Sequence, residues 1–164
     1  IYPDSFDDEY GGHGKCNILG MVHRQGPIIF SSKSLRRGWK SDTDGHNVSI
    51  HEWAHVLDLM DGYADGVPDV SDQSGWDETV KEELLRVRKG RSVLRDYAGT
   101  NRAELFAVSV EVFFERPRKL ADRHPELYER MVKFFGVDPC QAEPPRAGVV
   151  GTRKKKKKRK KRKR

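Results

Sequence analysis

The sequence predicts an α+β fold, mostly helical, with a small sheet beside a helix that carries two histidines four residues apart. Three observations predict it. Two short runs rich in Ile, Val and Phe lie close together near the start, several later segments repeat apolar residues at helical spacing, and Gly, Pro and Asp separate the runs.

Taken in order, residues 1–15 are acidic and Gly-rich, which suits a loop or a frayed edge. Residues 17–22 and 27–32 read as strands joined by a turn over residues 23–26. A polar stretch, residues 33–47, leads into a helix from about 45 to 60, with Asp44 as its N-cap and Gly62 just past its end. Residues 61–75 form an acidic loop. Residues 76–88 and 101–116 have the spacing of amphipathic helices, the second halted by Pro117, and residues 125–135 give a final short helix. There is no internal repeat. Periodicity is lost from Cys140 onward, so the reading is one domain over residues 1–139 and a disordered basic tail over 140–164.

At 164 residues the chain is long enough for one domain with its own core and too short for two. Its charge is divided unequally. Residues 153–164 are twelve consecutive Lys or Arg; removing them from the 32 basic side chains leaves 20 against 25 acidic ones, a balance near −5. The pI near 9.5 therefore describes the tail, while the body is mildly acidic. No run approaches the ~20 apolar residues of a membrane helix, so no membrane partner is expected. The chain opens on Ile1 instead of Met, so its true start is expected to lie upstream. Cys16 and Cys140 belong to no paired-cysteine motif and read as two free thiols of a reducing, cytoplasmic protein.

The chemistry concentrates in His51-Glu52-Trp53-Ala54-His55. Histidines four apart on a helix stack one turn above each other, so two imidazoles can share one tetrahedral ion. Glu52 lies about 100° around the helix from His51, beside the ion, where it can accept a proton from a water on the metal. With His51 at 0°, Ile50, Trp53, Val56, Leu57 and Met60 fall on the opposite side, while Asn47 and Asp58 join the histidines. That predicts a motif facing a cleft and an apolar back facing a core. His13, His23, His46 and His124 lack partners at ligand spacing and read as structural or exposed.

A catalytic zinc takes three protein ligands and leaves a fourth position for water. Asp58 shares the histidine face but sits one turn along, so a supporting role or a surface acid suits it better. Glu104 and Glu111 are seven residues apart on one face of the predicted 101–116 helix, and spacing does not choose between them. Glu104 could equally serve as a capping partner of Asn101, and Glu111 as a solvated acid. The acids of residues 61–72 lack the alternation of a calcium loop and read as a flexible cleft rim.

The run Asp44-Gly45-His46-Asn47-Val48, the His-Glu-Trp-Ala-His turn and Leu57-Asp58 resemble the active-site segment of the Mlc titration factor A family, bacterial zinc metallopeptidases. Asp96-Tyr97-Ala98-Gly99-Thr100-Asn101, Ala103-Glu104-Leu105-Phe106-Ala107-Val108, Glu111-Val112-Phe113-Phe114-Glu115 and His124-Pro125-Glu126-Leu127-Tyr128 resemble its second signature in order and spacing. The resemblance covers roughly residues 1–139. It implies a zincin-like metallopeptidase core that lacks the family's N-terminal helices and a strand. It also implies that Glu104 is the third zinc ligand, Glu52 the catalytic base and Tyr97 the residue that stabilises the oxyanion. Trp53 stands where the family has Phe, and Arg102 where it has Pro.

The resemblance further implies an aminopeptidase with one Zn²⁺ per chain and a peptide substrate, with Asp58, Glu111 or an acid of residues 61–72 receiving the substrate's α-amine. Residues 27–32, if an exposed edge, could pair with an extended peptide. The alternative is a regulatory module that sequesters a transcriptional repressor, with or without residual activity. The tail would attract any polyanion through charge alone, having no aromatic residues for base stacking.

Overall fold

Residues 105–113 are apolar almost without interruption, so a helix through them must be covered on nearly every side. The computed structural model, which describes residues 1–7, 18–23 and 26–141, is organised around that need. The expected tail from 142 onward, Cys16 and His13 lie outside the described residues. Cys140 is a free, partly buried thiol.

Strands β1 (Gly20–Val22) and β2 (Ile28–Phe30) pair antiparallel, Met21 opposite Ile29, with the Gly26 N–H donating to the His23 carbonyl at the turn. The outer side of β2 is not the exposed edge that peptide pairing along it would require. The Tyr2 N–H donates to the Phe30 carbonyl and the Tyr2 carbonyl accepts from Ser32 N–H. The edge beside the histidine helix belongs to β1.

Residues 33–47 are not simply a polar lead-in. Helix α1 (Ser32–Lys40) starts at an N-cap, Ser31, whose hydroxyl accepts from Ser34 N–H, and buries only Leu35 and Gly38. Two buried positions leave no apolar periodicity to read. Helix α2 (Val48–Asp58) begins three residues later than expected, with Asn47 as its N-cap in place of Asp44. Asn47 Oδ1 accepts from Ser49 and Ile50 N–H, while Gly45, at φ 74°, belongs to the turn before the helix. Asp44 instead closes that turn by accepting from His46 N–H. A 3-10 turn, Leu59–Asp61, then leads to Gly62 in the left-handed region.

Helix α3 (Gln73–Arg88) starts at Asp72, and a 3-10 turn, Asp96–Gly99, carries Tyr97. Helix α4 (Arg102–Glu115) is capped by Asn101, whose side chain accepts from Glu104 N–H. Pro117 does not merely end α4: with its fixed φ and no N–H it opens α5 (Pro117–Arg123), and Pro125 likewise opens α6 (Pro125–Phe135). Trp76 and Val80 of α3, Leu120 of α5 and Leu127 and Met131 of α6 pack with Phe106 and Phe113 of α4. His124, buried at the α5–α6 junction, pairs with Glu83 and receives the N–H of Val93.

The sidedness of α2 differs from expectation. Trp53 and Met60 are 57% and 73% exposed, whereas His51, Glu52 and Asp58 are buried. The motif face itself packs against α4 and β1, and Ala54 and Val48 flank it; the bulkier apolar back is only partly covered by Val110, Phe114 and Phe135. Asp58 is no surface acid. Both its oxygens accept from Gly66 N–H, and burial pushes its carboxyl up to about 6. The loop after α2 is pinned at the same place, because Trp76 Nε1–H donates to the Gly66 carbonyl.

Gly66 has φ 75°, and a Cβ there would run into the Arg102 carbonyl. Gly66→Ala combines a left-handed strain with a backbone clash, and is expected to destabilise the fold by about 2 kcal/mol or more. Urea unfolding of the two proteins measures it, and equal midpoints would contradict the assignment.

Candidate metal centre

Helix α2 projects His51 and His55 from successive turns, and the rings meet edge to face with centroids 4.8 Å apart. Their Nε2 atoms lie 3.2 Å from each other. The first turn of α4 delivers Glu104 to the same point: its Oε2 is 3.0 Å from His51 Nε2 and 3.6 Å from His55 Nε2. Three donors of a tetrahedral ion with bonds near 2.05 Å stand about 3.3 Å apart. The observed triangle has that size. Glu104 Oε2 is buried with no hydrogen-bond partner, as expected of an oxygen whose partner is an ion. Among the described residues, these three are the one such group of His, Cys, Asp or Glu.

Electrostatics say the same. Burial raises the Glu104 carboxyl, but the His51 and His55 rings beside it outweigh that and hold the group far below the usual carboxylate range. Burial lowers the His51 imidazolium, yet Glu104 and Glu111 outweigh that and lift it to about 9. Two carboxylates around one imidazole favour a cation at this point, whether proton or metal.

Glu111, the other acid left open by spacing, is fully buried and turned to the far side of His51. Its Oε1 is 2.7 Å from His51 Nδ1. A carboxylate only accepts, so Nδ1 carries a proton, and Nε2 is the nitrogen turned towards the donor triangle, able to offer its lone pair once an ion displaces the proton there. Arg95 holds both Glu111 oxygens, at 2.7 and 2.9 Å, and Asn47 N–H donates to Oε2 at 2.5 Å. Hydrogen bonds from His51 and Arg95 keep the carboxyl low against its burial. One turn on, Glu115 accepts from the N–H groups of Gly45 and His46 and from the Asn47 side chain.

Glu52 projects into a cavity of about 600 Å³ lined by Gly20, Met21, His46, Arg95 and Tyr97. Burial pushes its carboxyl up. Strand β1 crosses directly above: a Cβ on Gly20 would run into the Glu52 carboxylate. On the other side of the donor triangle a second cavity, about 680 Å³, is lined by Val22, His55, Asp65, Arg88 and Glu104. β1 therefore runs from one cavity to the other. The Tyr97 ring lies 5.9 Å from that of His51, half exposed; burial and the Glu104 carboxylate push its hydroxyl up to about 12.

The structure thus brings His51, Glu52, His55, Tyr97 and Glu104 around one point and leaves Asp58 outside it. Arg95, Glu115 and Gly20 escaped the sequence reading. A trace existed for Glu115, which follows Glu111 by four residues and continues a polar stripe along an apolar helix. Arg95 and Gly20 come from other segments and carried no local signal.

The sequence model of the glucose-regulated metallo-peptidase M90 family matches residues 1–136. Mlc titration factor A of Escherichia fergusonii is 35% identical over 162 residues, covering 85% of this chain and 58% of that protein. The Cronobacter sakazakii protein of the same name is 34% identical over 162 residues, with 85% and 58% covered. That of Salmonella arizonae is 34% identical over 164 residues, with 86% and 62% covered. The chain spans about three-fifths of the length of these curated relatives.

The raised His51 pKa sets a pH dependence for metal-free protein. The folded value of about 9 exceeds the ordinary 6.5, so the stabilisation is complete below pH 6.5 and is lost as pH rises through 9. Chelator-treated protein is expected to melt at steadily lower temperature across that window, and His51→Ala to lose the slope. A flat profile in the parent chain would rule this out.

Proposed function

Because this chain belongs to the glucose-regulated metallo-peptidase M90 family, we propose that it is a zinc-dependent peptidase, an aminopeptidase in its finer specificity, built on a zincin-like core. The observation that carries the proposal is the donor triangle of His51, His55 and Glu104 with its unpartnered buried oxygen. Two imidazoles and one carboxylate are the donor set of a catalytic zinc site, and three protein donors leave the fourth position of a tetrahedral ion for water or substrate. When bound, the ion acidifies a water towards a pKa of ~7 and polarises the substrate carbonyl.

The protein's own groups do the rest. Glu52, buried beside the triangle, takes a proton from the attacking water and returns one to the leaving amine. Its upward-shifted carboxyl suits a group that must release the proton again. Tyr97, held protonated at neutral pH, donates to the carbonyl oxygen as charge develops there. Over residues 19–22 the antiparallel alternation turns the main-chain groups of Leu19 and Met21 towards β2, so those of Gly20 and Val22 point the other way. Beyond Ile18, whose N–H and carbonyl are paired with Phe6, an extended peptide can add along Gly20–Val22 over Glu52. Of the acids named for the substrate's α-amine, Asp58 is fully buried against the Gly66 N–H and Glu111 is occupied by His51, Arg95 and Asn47. Asp65, at the rim of the larger cavity, remains available.

The domain of this activity is residues 1–139, with 140–164 a basic extension able to attract polyanions. No helix among the described residues is long and apolar enough to cross a membrane. A second reading rests on the relatives' name, Mlc titration factor A: this chain would capture a transcriptional repressor, with hydrolysis secondary.

Glu52→Gln is expected to abolish hydrolysis of amino-acid anilides while keeping one zinc per chain by elemental analysis. His51→Ala and Glu104→Ala are expected to weaken zinc uptake itself. If Glu111→Ala strips zinc and Glu104→Ala does not, the ligand assignment is wrong. Undiminished repressor capture by Glu52→Gln would favour the regulatory reading. Tyr97→Phe is expected to lower kcat by roughly 100-fold or more with zinc content unchanged; an unaltered kcat would remove Tyr97 from the mechanism.

A further inference from the structure

We propose that Arg95 is the positioning residue of this site, holding the carboxylate that orients His51 and, from the same stretch of backbone, fixing Tyr97. The inference rests on the metal-site reading above. Arg95 lies on neither site helix; it is the residue immediately before the 3-10 turn Asp96–Gly99. Its guanidinium meets Glu111 with two nitrogens, Nη2 to Oε1 at 2.7 Å and Nη1 to Oε2 at 2.9 Å. Nη1 also reaches the Gly45 carbonyl at 3.4 Å, and the guanidinium carbon stands 5.7 Å from the centre of the Tyr97 ring. One planar group thereby touches α4, the turn before α2 and the proposed oxyanion residue.

The need for it follows from charge. Glu111 has no exposure to solvent. With His51 Nε2 given to a metal ion, the imidazole is a neutral donor to Glu111, and Asn47 N–H is neutral as well. In that metal-bound state Arg95 is, among the described residues, the one side chain with a full positive charge in contact with this carboxylate. Removing it leaves a buried anion uncompensated, which is resolved by protonation or by the side chain turning away. Either outcome releases His51 Nδ1–H and with it the aim of Nε2. A lysine at 95 restores the charge without the planar fork that matches both oxygens.

The test uses Arg95→Gln, Arg95→Lys, Glu111→Gln and the double variant Arg95→Gln/Glu111→Gln in the full chain. Zinc affinity is measured by competition with a chromophoric chelator, and ligand geometry by the absorption spectrum of the Co²⁺-substituted protein. Arg95→Gln is expected to bind zinc ~10- to 100-fold more weakly, to alter the Co²⁺ spectrum, and to lower kcat more than it raises KM on an amino-acid anilide. Arg95→Lys should recover part of the affinity. In the Glu111→Gln background, Arg95→Gln should cost less than about threefold, since the two act as one unit. Wild-type affinity and spectrum in Arg95→Gln, or losses that multiply fully in the double variant, overturn the proposal. Should Arg95→Gln fail to fold, Arg95→Lys decides: unchanged affinity and an unchanged spectrum count against it. The His51 Nδ1–H resonance of metal-free protein gives a readout independent of the metal. It should be present in the parent chain and lost or shifted in Arg95→Gln, and retention in place overturns the assignment. Failure of the parent chain to take up zinc would sink the peptidase reading alone.

Discussion

The structure depends on one buried carboxylate. Glu111 accepts from His51, from both terminal nitrogens of Arg95 and from the N–H of Asn47, and it does so with no exposure to water. A buried charge left unpaired costs several kcal/mol, so this group is tolerable only when every partner is in place. The three partners come from the middle of α2, the loop before α4 and the cap of α2. Satisfying the carboxylate therefore sets where α2 starts, how it lies against α4, and which way the His51 ring faces.

This constraint explains why α2 shows the core its polar side. Ordinary amphipathic packing would bury Trp53, Leu57 and Met60. Instead the helix is held against α4 by hydrogen bonds to Glu111 and Glu115, and the small Ala54 lets the two helices approach. The apolar side is left to line a shallow groove with Phe114 and Phe135. α4 can accept such a neighbour because its remaining surface is covered by α3, α5 and α6, an arrangement in which aromatic rings meet mostly edge to face.

The same packing separates two duties that carboxylates of similar chemistry could confuse. Glu104 and Glu111 lie two helical turns apart, close enough to reach the same histidine from opposite edges of its ring. Glu104 has one buried oxygen that takes no hydrogen bond and faces the two imidazoles, and Glu111 has none free. An oxygen without a partner is available to an ion, while a saturated carboxylate can only orient its neighbours. On this difference the proposed division into ligand and support rests.

The sequence alone determined what depends on local spacing. Histidines four residues apart share a helical face wherever the helix lies, prolines at 117 and 125 mark helix boundaries in any context, and the apolar run 105–113 requires a covered helix. Hence the mostly helical α+β class and the short hairpin were legible, as was the grouping of Glu104 and Glu111 on one face. Boundaries were less so: α1 buries too few residues to show a period, and Asn47 outcompetes Asp44 as cap because Glu111 and Glu115 hold it in position. Only the tertiary structure decided which acid faces Nε2 and which faces Nδ1, that Arg95 and Gly20 belong to the site, and that α2 buries its polar side. Each of those outcomes turns on distances between segments far apart in the chain, and the balance between a desolvated charge and its partners has no counterpart in a linear pattern.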